Sequence, residues 1–330
     1  MNVTVIGGGS WGTSLADLLA SKGVDTTLWV RERALLAEIK SKGENTWYMP
    51  GIQLSKNLRV SMDLAQACAD RELYLMTVPS QFMRAVLNDA RGFLAKNPAL
   101  VCASKGIEID TGKTMSEVFD EAMGGKKYRF AALSGPSFAY EVIRRMPTAV
   151  SLGCRDKALA KRVQELFATD YFRVYTNKDV KGVELGGAVK NIIAIAAGVI
   201  DELGFGMNAR AALITRGLAE MSRLGAKLGA EPKTFVGLSG LGDLVLTCTG
   251  DLSRNRQVGR RLAQGRKLID ILGEMKSVAE GVKTTQAVHG LAQKLKVEVP
   301  ITEQVHAILY ENKDPAQAVR ELMSRALKDE

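Results

Sequence analysis

The chain opens with the stretch Val3-Thr4-Val5-Ile6-Gly7-Gly8-Gly9-Ser10-Trp11-Gly12, in which a Gly-x-Gly-x-x-Gly pattern follows a short apolar run. Four β-branched residues predict a strand, and the amphipathic segment from Ser10 onward predicts a helix. Such a pattern becomes specific when it lies at the strand-to-helix turn of a first βαβ unit. Gly7 permits the tight turn, Gly9 lets a pyrophosphate approach the backbone, and Gly12 lets the helix pack against the strand. The free N–H groups at the helix N-terminus favour phosphate. We therefore predict that this turn binds a dinucleotide, NAD or NADP.

The end of the second predicted strand bears on the choice of dinucleotide. The strand is followed by Arg31, Glu32 and Arg33. An acidic residue at this position holds the ribose 2′-hydroxyl of NAD, whereas arginine accommodates the 2′-phosphate of NADP. The two arginines favour NADP, and Glu32 leaves NAD possible. We expect NADPH to be preferred and NADH accepted, with the Glu32 side chain directed away from both arginines. The alternative is that both arginines are solvated loop charges.

The first half of the chain alternates short apolar runs with helical patterns, which predicts βαβ units and a largely parallel sheet. The predicted strands are Val3–Gly7, Thr26–Val30, Arg59–Ser61, Leu73–Val78, Ala99–Ser104, Phe130–Gly135, Thr148–Gly153 and Phe172–Tyr175. Helical periodicity dominates after about Asn177. The sequence thus predicts an α/β fold with an N-terminal Rossmann-type dinucleotide-binding domain, residues 1–177, and an all-helical C-terminal domain for substrate binding and catalysis, residues 178–330.

Helices are predicted in both halves of the chain. They cover Ser10–Ser21, Gln81–Ala95, Lys157–Phe167, Val180–Leu203, Ala209–Leu228, Arg254–Gln264, Thr284–Leu295, Thr302–Tyr310 and Pro315–Leu327.

Composition excludes several classes of protein. The 330 residues are 46% hydrophobic and 25% charged, as in a globular protein. No basic leader precedes the first strand, and no window approaches the roughly 20 apolar residues of a membrane span, so we expect a cytoplasmic protein without an integral membrane segment. The net charge of +9 is spread along the chain, which argues against nucleic-acid binding. Four separated cysteines and two histidines offer no disulfide framework and no metal site.

Four later segments carry chemically useful side chains. Lys105 follows a strand whose carboxyl end faces the ligand crevice, where it can contact an anion. Ser137 begins a helical segment, and the sequence supports two roles for it equally: a contact with the ligand, or the N-cap of the helix. Lys190 lies among small and apolar helix residues, so burial should lower its pKa, unless its side chain extends to water. In the glycine-rich segment 237–244, Asp243 can orient either Lys190 or a substrate hydroxyl, and the alternative is that this segment is a flexible loop. After this segment, the guanidinium of Arg254 can bind a phosphate group through two N–H donors, next to the amide of Asn255.

Taken together, these segments resemble the NAD(P)-dependent glycerol-3-phosphate dehydrogenases over nearly the whole chain. The joint signature is Gly-Gly-Gly-Ser-Trp-Gly at 7–12, Asn-Thr-Trp-Tyr-Met-Pro-Gly at 45–51, Ser-Lys-Gly at 104–106, Ser-Gly-Pro-Ser at 134–137, Val-Lys-Asn at 189–191, Gly-Leu-Gly-Asp-Leu at 240–244, Ser-Arg-Asn at 253–255 and Val-Ala-Glu-Gly-Val at 278–282. Eight segments in the same order make this resemblance specific. It implies reversible NAD(P)H-dependent reduction of dihydroxyacetone phosphate to sn-glycerol 3-phosphate, which supplies phospholipid synthesis.

The resemblance also implies residue roles. Lys190 is the proton donor and acceptor, with Lys105 and Asp243 as its catalytic partners. The substrate contacts are Lys105, Gly135, Ser137, Lys190, Asn191, Asp243, Thr247, Ser253, Arg254 and Asn255. The cofactor contacts are Gly7, Gly9, Ser10, Trp11, Gly12, Arg31, Arg33, Tyr48, Lys105, Ala139, Arg254, Val278 and Glu280. The expected partner is a small phosphorylated molecule, with a homodimer possible.

Two other classes share parts of this pattern. Another two-domain reductase, such as a 2-hydroxyacid or ketopantoate reductase, would share the Gly7–Gly12 turn, but Arg254 and its neighbours favour a phosphorylated substrate. A catalytically silent dinucleotide sensor or nucleic-acid-binding protein would not need both Lys105 and Lys190.

Overall fold

The computed structural model describes residues 1–275 and 278–326. All eight predicted strands are present, each within two residues of its predicted ends. Their bounds are β1 Asn2–Ile6, β2 Asp25–Trp29, β3 Leu58–Ser61, β4 Leu73–Met76, β5 Ala99–Cys102, β6 Arg129–Ser134, β7 Thr148–Gly153 and β8 Phe172–Asn177.

The strands form one sheet in the order β3-β2-β1-β4-β5-β6-β7-β8. Every neighbouring pair is parallel except β6 and β7, where Leu133 lies opposite Leu152 in an antiparallel register. The reversal of strand order on either side of β1 places a crevice at the carboxyl ends of β1 and β4, where doubly wound sheets bind ligands.

Helices cover both faces of the sheet. They are α1 Ser10–Ser21, α2 Arg33–Lys42, α3 Leu64–Cys68, α4 Met83–Ala90, α5 Met115–Met123, α6 Ala139–Ile143 and α7 Lys157–Phe167. Successive strand side chains alternate between the two faces. Val5 accordingly packs in the core beneath α1, whereas Ile6 packs with Phe119 of α5 on the other face.

The C-terminal part is helical, as predicted. Its helices are α8 Val180–Glu202, α9 Gly206–Lys227, α10 Pro232–Phe235, α11 Asp243–Thr249, α12 Arg254–Ala263, α13 Leu268–Glu274, α14 Glu280–Leu295, α15 Pro300–Tyr310 and α16 Pro315–Met323. The last predicted helix extended to Leu327, which lies outside the described residues. Short helices such as α11 were not predicted, because a few residues carry too little periodicity to stand out.

Helix α8 is the central element of this part and packs against α9, α11, α12 and α14. Its mean hydropathy reaches 1.6 over 18 residues, and 94% of that window is buried inside the protein. The expectation that no window approaches the apolar length of a membrane span was therefore wrong. Packing on all sides explains the composition, since a helix that is apolar all round is a core helix when other helices cover it.

Candidate active site

A cleft of about 580 Å³ lies between the carboxyl ends of the strands and the helical part of the chain. Most of the predicted site residues line it. They are Gly7, Gly9, Ser10, Trp11, Arg31, Tyr48, Lys105, Ser137, Ala139, Lys190, Asn191, Asp243, Thr247, Ser253, Arg254, Asn255, Val278 and Glu280. Gly12, Arg33 and Gly135 are not part of its walls.

The turn at Gly7–Gly12, here called the glycine turn, is held by close backbone contacts. A β-carbon at Gly12 would lie 2.0 Å from the Gly7 carbonyl oxygen, so only glycine allows α1 to start at this point. Gly7 has φ +124°, a conformation that side chains disfavour. The Thr77 hydroxyl, at the end of β4, donates to the Gly7 carbonyl oxygen at 3.0 Å. These contacts fix the N-terminus of α1 at the crevice.

The glycine turn fits a dinucleotide phosphate. A β-carbon at Gly9 would meet no other atom within 4 Å, so the backbone there is open to the cleft. Gly9 is also the N-cap of α1, and no side chain caps the helix. The first N–H groups of the helix are thus left for a ligand, and the helix dipole favours an anion.

The opposite wall of the cleft holds two lysines on one carboxylate. We call Lys105, Lys190, Asp243 and Thr247 the lysine wall. The Lys190 ammonium donates to Asp243 Oδ1 and, at 2.8 Å, to the Thr247 hydroxyl. The Lys105 ammonium donates to Asp243 Oδ2 at 2.7 Å and to the Gly135 carbonyl oxygen at 2.9 Å. Asp243 is 1% exposed. Two cations on one carboxylate leave a net positive charge facing the cleft.

Burial lowers the pKa of the Lys190 ammonium. Lys190 is 6% exposed. Loss of solvent lowers its pKa to about 8, with Asp243 opposing the shift and Lys105 adding to it. The sequence prediction that burial lowers this pKa agrees with the geometry. A lysine with a pKa near neutral can both give and take a proton under ordinary conditions.

Close helix packing explains how a lysine can be held so deeply. A β-carbon at Gly186 would lie 2.5 Å from the Ser239 carbonyl oxygen, and one at Gly187 would lie 2.4 Å from the Ser134 hydroxyl. The close approach predicted at these two glycines is therefore present. It draws the segment before α11 and the end of β6 against α8, next to Lys190.

Arg254 and Asn255 begin helix α12, which Ser253 caps by accepting from the Arg256 N–H at 3.2 Å. The Arg254 side chain is exposed to the cleft. The enclosing walls still lower the pKa of its guanidinium, while the Glu280 carboxylate raises it. A guanidinium at a helix N-terminus is suited to bind a phosphate group.

The two predicted asparagines bond to protein groups. The Asn255 amide nitrogen donates to Asn191 Oδ1 at 2.9 Å, and Asn255 Oδ1 accepts from the Gly281 N–H at 2.9 Å. Asn255 thus joins α8, α12 and α14. The interpretation of Asn191 and Asn255 as direct substrate contacts stays a prediction.

Glu280 links the helical part of the chain to the sheet. Its carboxylate accepts from the Ser80 N–H at 3.0 Å and from the Ser80 hydroxyl at 2.6 Å. Ser80 is fully buried after β4 and was missed by sequence reasoning. The one sequence feature that could have identified Ser80 is its position just after β4, a strand that ends at the crevice. Ser80 does not itself line the cleft; the lining residues that were missed include Trp29, Phe82, Phe138, Leu246 and Leu252.

Two details of the prediction were wrong. Ser137 does not cap α6, because Phe138 is the N-cap and the Ser137 hydroxyl donates instead to the Gly135 carbonyl oxygen at 2.9 Å. The Glu32 side chain does not point away from the arginines, since the Arg31 guanidinium contacts its carboxylate at 3.1 Å. In both places the side chain contacts a nearby polar group, the Gly135 carbonyl oxygen for Ser137 and the Arg31 guanidinium for Glu32, instead of adopting the predicted orientation.

The Rossmann-type sheet, the uncapped glycine turn and the buried lysine wall define a class: a two-domain oxidoreductase that uses a nicotinamide dinucleotide. Two family models, described as the N-terminus and the C-terminus of NAD-dependent glycerol-3-phosphate dehydrogenase, match residues 2–160 and 179–320. The chain belongs to this family.

Relatives agree over the full length. A glycerol-3-phosphate dehydrogenase [NAD(P)+] of Solidesulfovibrio magneticus is 64% identical over 330 residues, which is all of both chains. The crystal structure of glycerol-3-phosphate dehydrogenase from Coxiella burnetii has a TM-score of 0.95 and 41% identity, covering 98% of this chain and 99% of that one. A ketopantoate reductase from Ralstonia eutropha has a TM-score of 0.58 and 15% identity over 97% of this chain and 100% of its own, so it shares the fold alone.

Proposed function

We propose that this protein reduces dihydroxyacetone phosphate to sn-glycerol 3-phosphate, and catalyses the reverse reaction, with Lys190 as the group that gives and takes the proton. The single observation that carries the proposal is the Lys190 ammonium, buried on the cleft wall and held by Asp243 and Thr247. The names of the full-length relatives support the same substrate pair.

The lysine wall accounts for proton transfer to the substrate oxygen. A bound NADH or NADPH supplies the hydride that reduces the ketone carbon. Lys190 donates a proton to the oxygen on that carbon as negative charge develops there. Lys105 holds a second positive charge nearby and stabilises the same oxygen. Asp243 accepts a hydrogen bond from each ammonium group and so keeps both oriented before the substrate binds.

Arg254 accounts for the phosphate of the substrate. Its guanidinium faces the cleft from the start of α12, and the Asn255–Asn191 hydrogen bond fixes that helix end to the helix that carries Lys190. Binding energy at the phosphate then orients the ketone near Lys190, which lowers the entropy cost of reaching the transition state.

The direct test is consumption of NADPH and NADH with three ketones: dihydroxyacetone phosphate, unphosphorylated dihydroxyacetone and ketopantoate. We expect turnover with the first and little with the other two. Equal turnover of dihydroxyacetone with and without phosphate would contradict the role of Arg254. Efficient turnover of ketopantoate alone would favour the other reductase class.

The remaining expectations are proposals of the same kind. We place the division between the domains at residues 177 and 178, which is supported by the end of β8 at Asn177 and the start of α8 at Val180. We further propose a cytoplasmic homodimer whose product supplies glycerophospholipid synthesis. Cell fractionation and light scattering of the purified protein test the location and the oligomeric state.

A further inference from the structure

Asp201, near the end of α8, binds two arginines outside the cleft. Its Oδ2 atom accepts from the Arg256 Nε at 2.6 Å, and its Oδ1 atom accepts from the Arg210 Nε at 2.8 Å. The side chain of Asp201 is 7% exposed and that of Arg256 is 9% exposed. Neither Asp201 nor Arg256 is among the residues that line the cleft. The Asp201–Arg256 ion pair is therefore buried and does not touch the substrate.

Arg256 fixes the first turn of α12 against α8. It lies two residues beyond Arg254, in the same helical turn. Besides Asp201, its guanidinium binds Asp251 in the preceding loop, where Nη1 donates to Oδ1 at 2.6 Å. The Arg256 carbonyl oxygen lies so close to α8 that a β-carbon at Gly198 would be only 2.0 Å from it. Both the backbone and the side chain of Arg256 thus hold the start of α12 in place.

Arg254 has no comparable support of its own. Within residues 1–275 and 278–326, its side chain makes no hydrogen bond and no ion pair, and the Glu280 carboxylate acts on it through charge alone. Its position in the cleft therefore depends on the backbone of the first turn of α12. A guanidinium uses its binding energy well only if it is held near the place that the phosphate occupies.

Helix α8 carries both the Asp201 anchor and the proposed proton donor. Asp201 follows Lys190 by about three helical turns, so the two side chains leave α8 on nearly the same face. At one end of this face Lys190 binds Asp243, and at the other end Asp201 binds Arg256. Helix α8 therefore sets the separation between the proton donor and the helix that presents Arg254.

We propose that Asp201 is a positioning residue for the substrate phosphate: through Arg256, it holds the first turn of α12 so that Arg254 faces the phosphate. This inference rests on the proposed reduction of a phosphorylated ketone. The charge of Asp201 matters because an uncharged side chain would leave the Arg256 guanidinium buried with too little neutralising charge. Arg256 would then move toward solvent and Asp251, and the first turn of α12 would move with it.

A purely structural role for Asp201 makes a different prediction. Loss of a buried ion pair destabilises a protein whether or not the pair supports a binding site. The melting temperature would then fall, and any loss of activity would be the same for phosphorylated and unphosphorylated ketones. A positioning role instead changes mainly the KM for the phosphorylated ketone.

The experiment measures kcat and KM for dihydroxyacetone phosphate and for unphosphorylated dihydroxyacetone in the wild type, Asp201→Asn, Arg254→Ala and the double variant. Asparagine keeps the size of the side chain and removes its charge. The matched control is Glu202→Gln, because Glu202 is the next residue and also binds α12, through the exposed Arg260 at 3.2 Å. Melting temperatures and the Kd of NADPH are recorded for every protein.

A binding measurement separates this proposal from the proposed function. Titration calorimetry gives the Kd of inorganic phosphate for each protein saturated with NADPH, which keeps the probe away from the glycine turn. This Kd reports on Arg254 without any turnover. A wild type that binds phosphate but does not reduce dihydroxyacetone phosphate would therefore count against the proposed function alone.

We expect Asp201→Asn to raise the KM for dihydroxyacetone phosphate and the Kd of phosphate roughly tenfold, the lower end of the effect of losing Arg254 itself. The kcat/KM for dihydroxyacetone should change less than about twofold, because that ketone has no phosphate. In the Arg254→Ala background, Asp201→Asn should add nothing, since the group that it positions is absent. Glu202→Gln should leave all these values unchanged.

The proposal is overturned by any of three results in a folded Asp201→Asn protein: an unchanged Kd of phosphate, equal losses with both ketones, or the full effect in the Arg254→Ala background. If Asp201→Asn does not fold, Arg256→Lys takes its place in the same measurements. Lysine keeps a buried charge next to Asp201, but its single ammonium group cannot reproduce the contacts of a guanidinium with both Asp201 and Asp251. The same three results would then decide.

Discussion

The glycine turn and the lysine wall face each other across one cleft but are built in different ways. The glycine turn consists of consecutive residues that run from the end of β1 into the first turn of α1, and its closest contact joins Gly7 to Gly12. The lysine wall brings Lys105 from the end of β5 together with Lys190 of α8 and Asp243 of α11. A cofactor site made of residues adjacent in sequence can be predicted from a sequence motif. A catalytic site made of distant residues depends on how helices pack.

The contact between α8 and α12 also depends on glycines that allow close backbone approach, but here the two backbones are distant in sequence. A β-carbon at Gly259 would lie 1.9 Å from the Ile195 carbonyl oxygen, and one at Gly198 would lie 2.0 Å from the Arg256 carbonyl oxygen. The two helices therefore touch backbone to backbone. This contact sets the position of Arg254 relative to Lys190.

The largest effect is expected when the lysine wall loses Lys190, its proposed proton donor. Lys190→Ala should lower kcat roughly 10²–10⁴-fold, the usual contribution of a placed acid or base. Cofactor affinity should change little, because the glycine turn lies on the opposite wall. Steady-state kinetics and cofactor titration measure the two effects. Lys181→Ala is the control, since Lys181 lies on the same helix but pairs with Glu117 outside the cleft. Near-normal kcat in Lys190→Ala would remove this residue from the mechanism.

A smaller effect is expected at the phosphate end of the cleft. Arg254→Ala should raise KM for dihydroxyacetone phosphate by about 10–100-fold, because a charged hydrogen-bond partner is lost. Turnover of unphosphorylated dihydroxyacetone should hardly change. Arg260→Ala, on the exposed side of the same helix, is the control. Equal losses with both ketones would argue against phosphate binding by Arg254.

The helix contact itself can be loosened. Gly259→Ala should lower the free energy of unfolding by about 1–3 kcal/mol, because a methyl group must push two backbones apart. KM for the phosphorylated ketone should rise with it, while cofactor affinity stays near normal. Gly290→Ala is the control, since a β-carbon there meets nothing within 4 Å. Chemical denaturation measures the free energy of unfolding. An unchanged free energy of unfolding in Gly259→Ala would mean that α8 and α12 can move apart to fit the methyl group without loss of stability.

The smallest expected effect concerns pH. Since Lys190 must be protonated to donate, kcat for ketone reduction should fall as pH rises through about 8, and kcat for alcohol oxidation should rise over the same range. Asp243 favours the charged lysine, so Asp243→Asn should move both transitions lower by about one pH unit or more. The control Asp89→Asn, which removes an exposed carboxylate on α4 outside the cleft, should leave both transitions in place. A transition that does not move in Asp243→Asn would show that another group titrates.

The fold was largely predictable because its signals are local. Strand runs, helix periodicity and the Gly7–Gly12 pattern each lie within a few turns of chain, so the eight strands and the long helices were predicted close to their observed ends. The family resemblance supplied most of the candidate site residues. Ser80 and the short helix α11 had no comparable signal.

The sequence by itself determined the glycine turn, the alternation of strands and helices, and the presence of a lysine within an apolar helix. Tertiary structure alone decided that Lys190 and Lys105 share Asp243, that Asn255 bonds to Asn191 rather than remaining free, that Glu280 binds Ser80, and that Arg31 rather than Arg33 faces the cleft. The physical reason is that a backbone turn is governed by steric limits between adjacent residues, whereas the partner of a charged or polar side chain depends on which distant groups packing brings within hydrogen-bond distance.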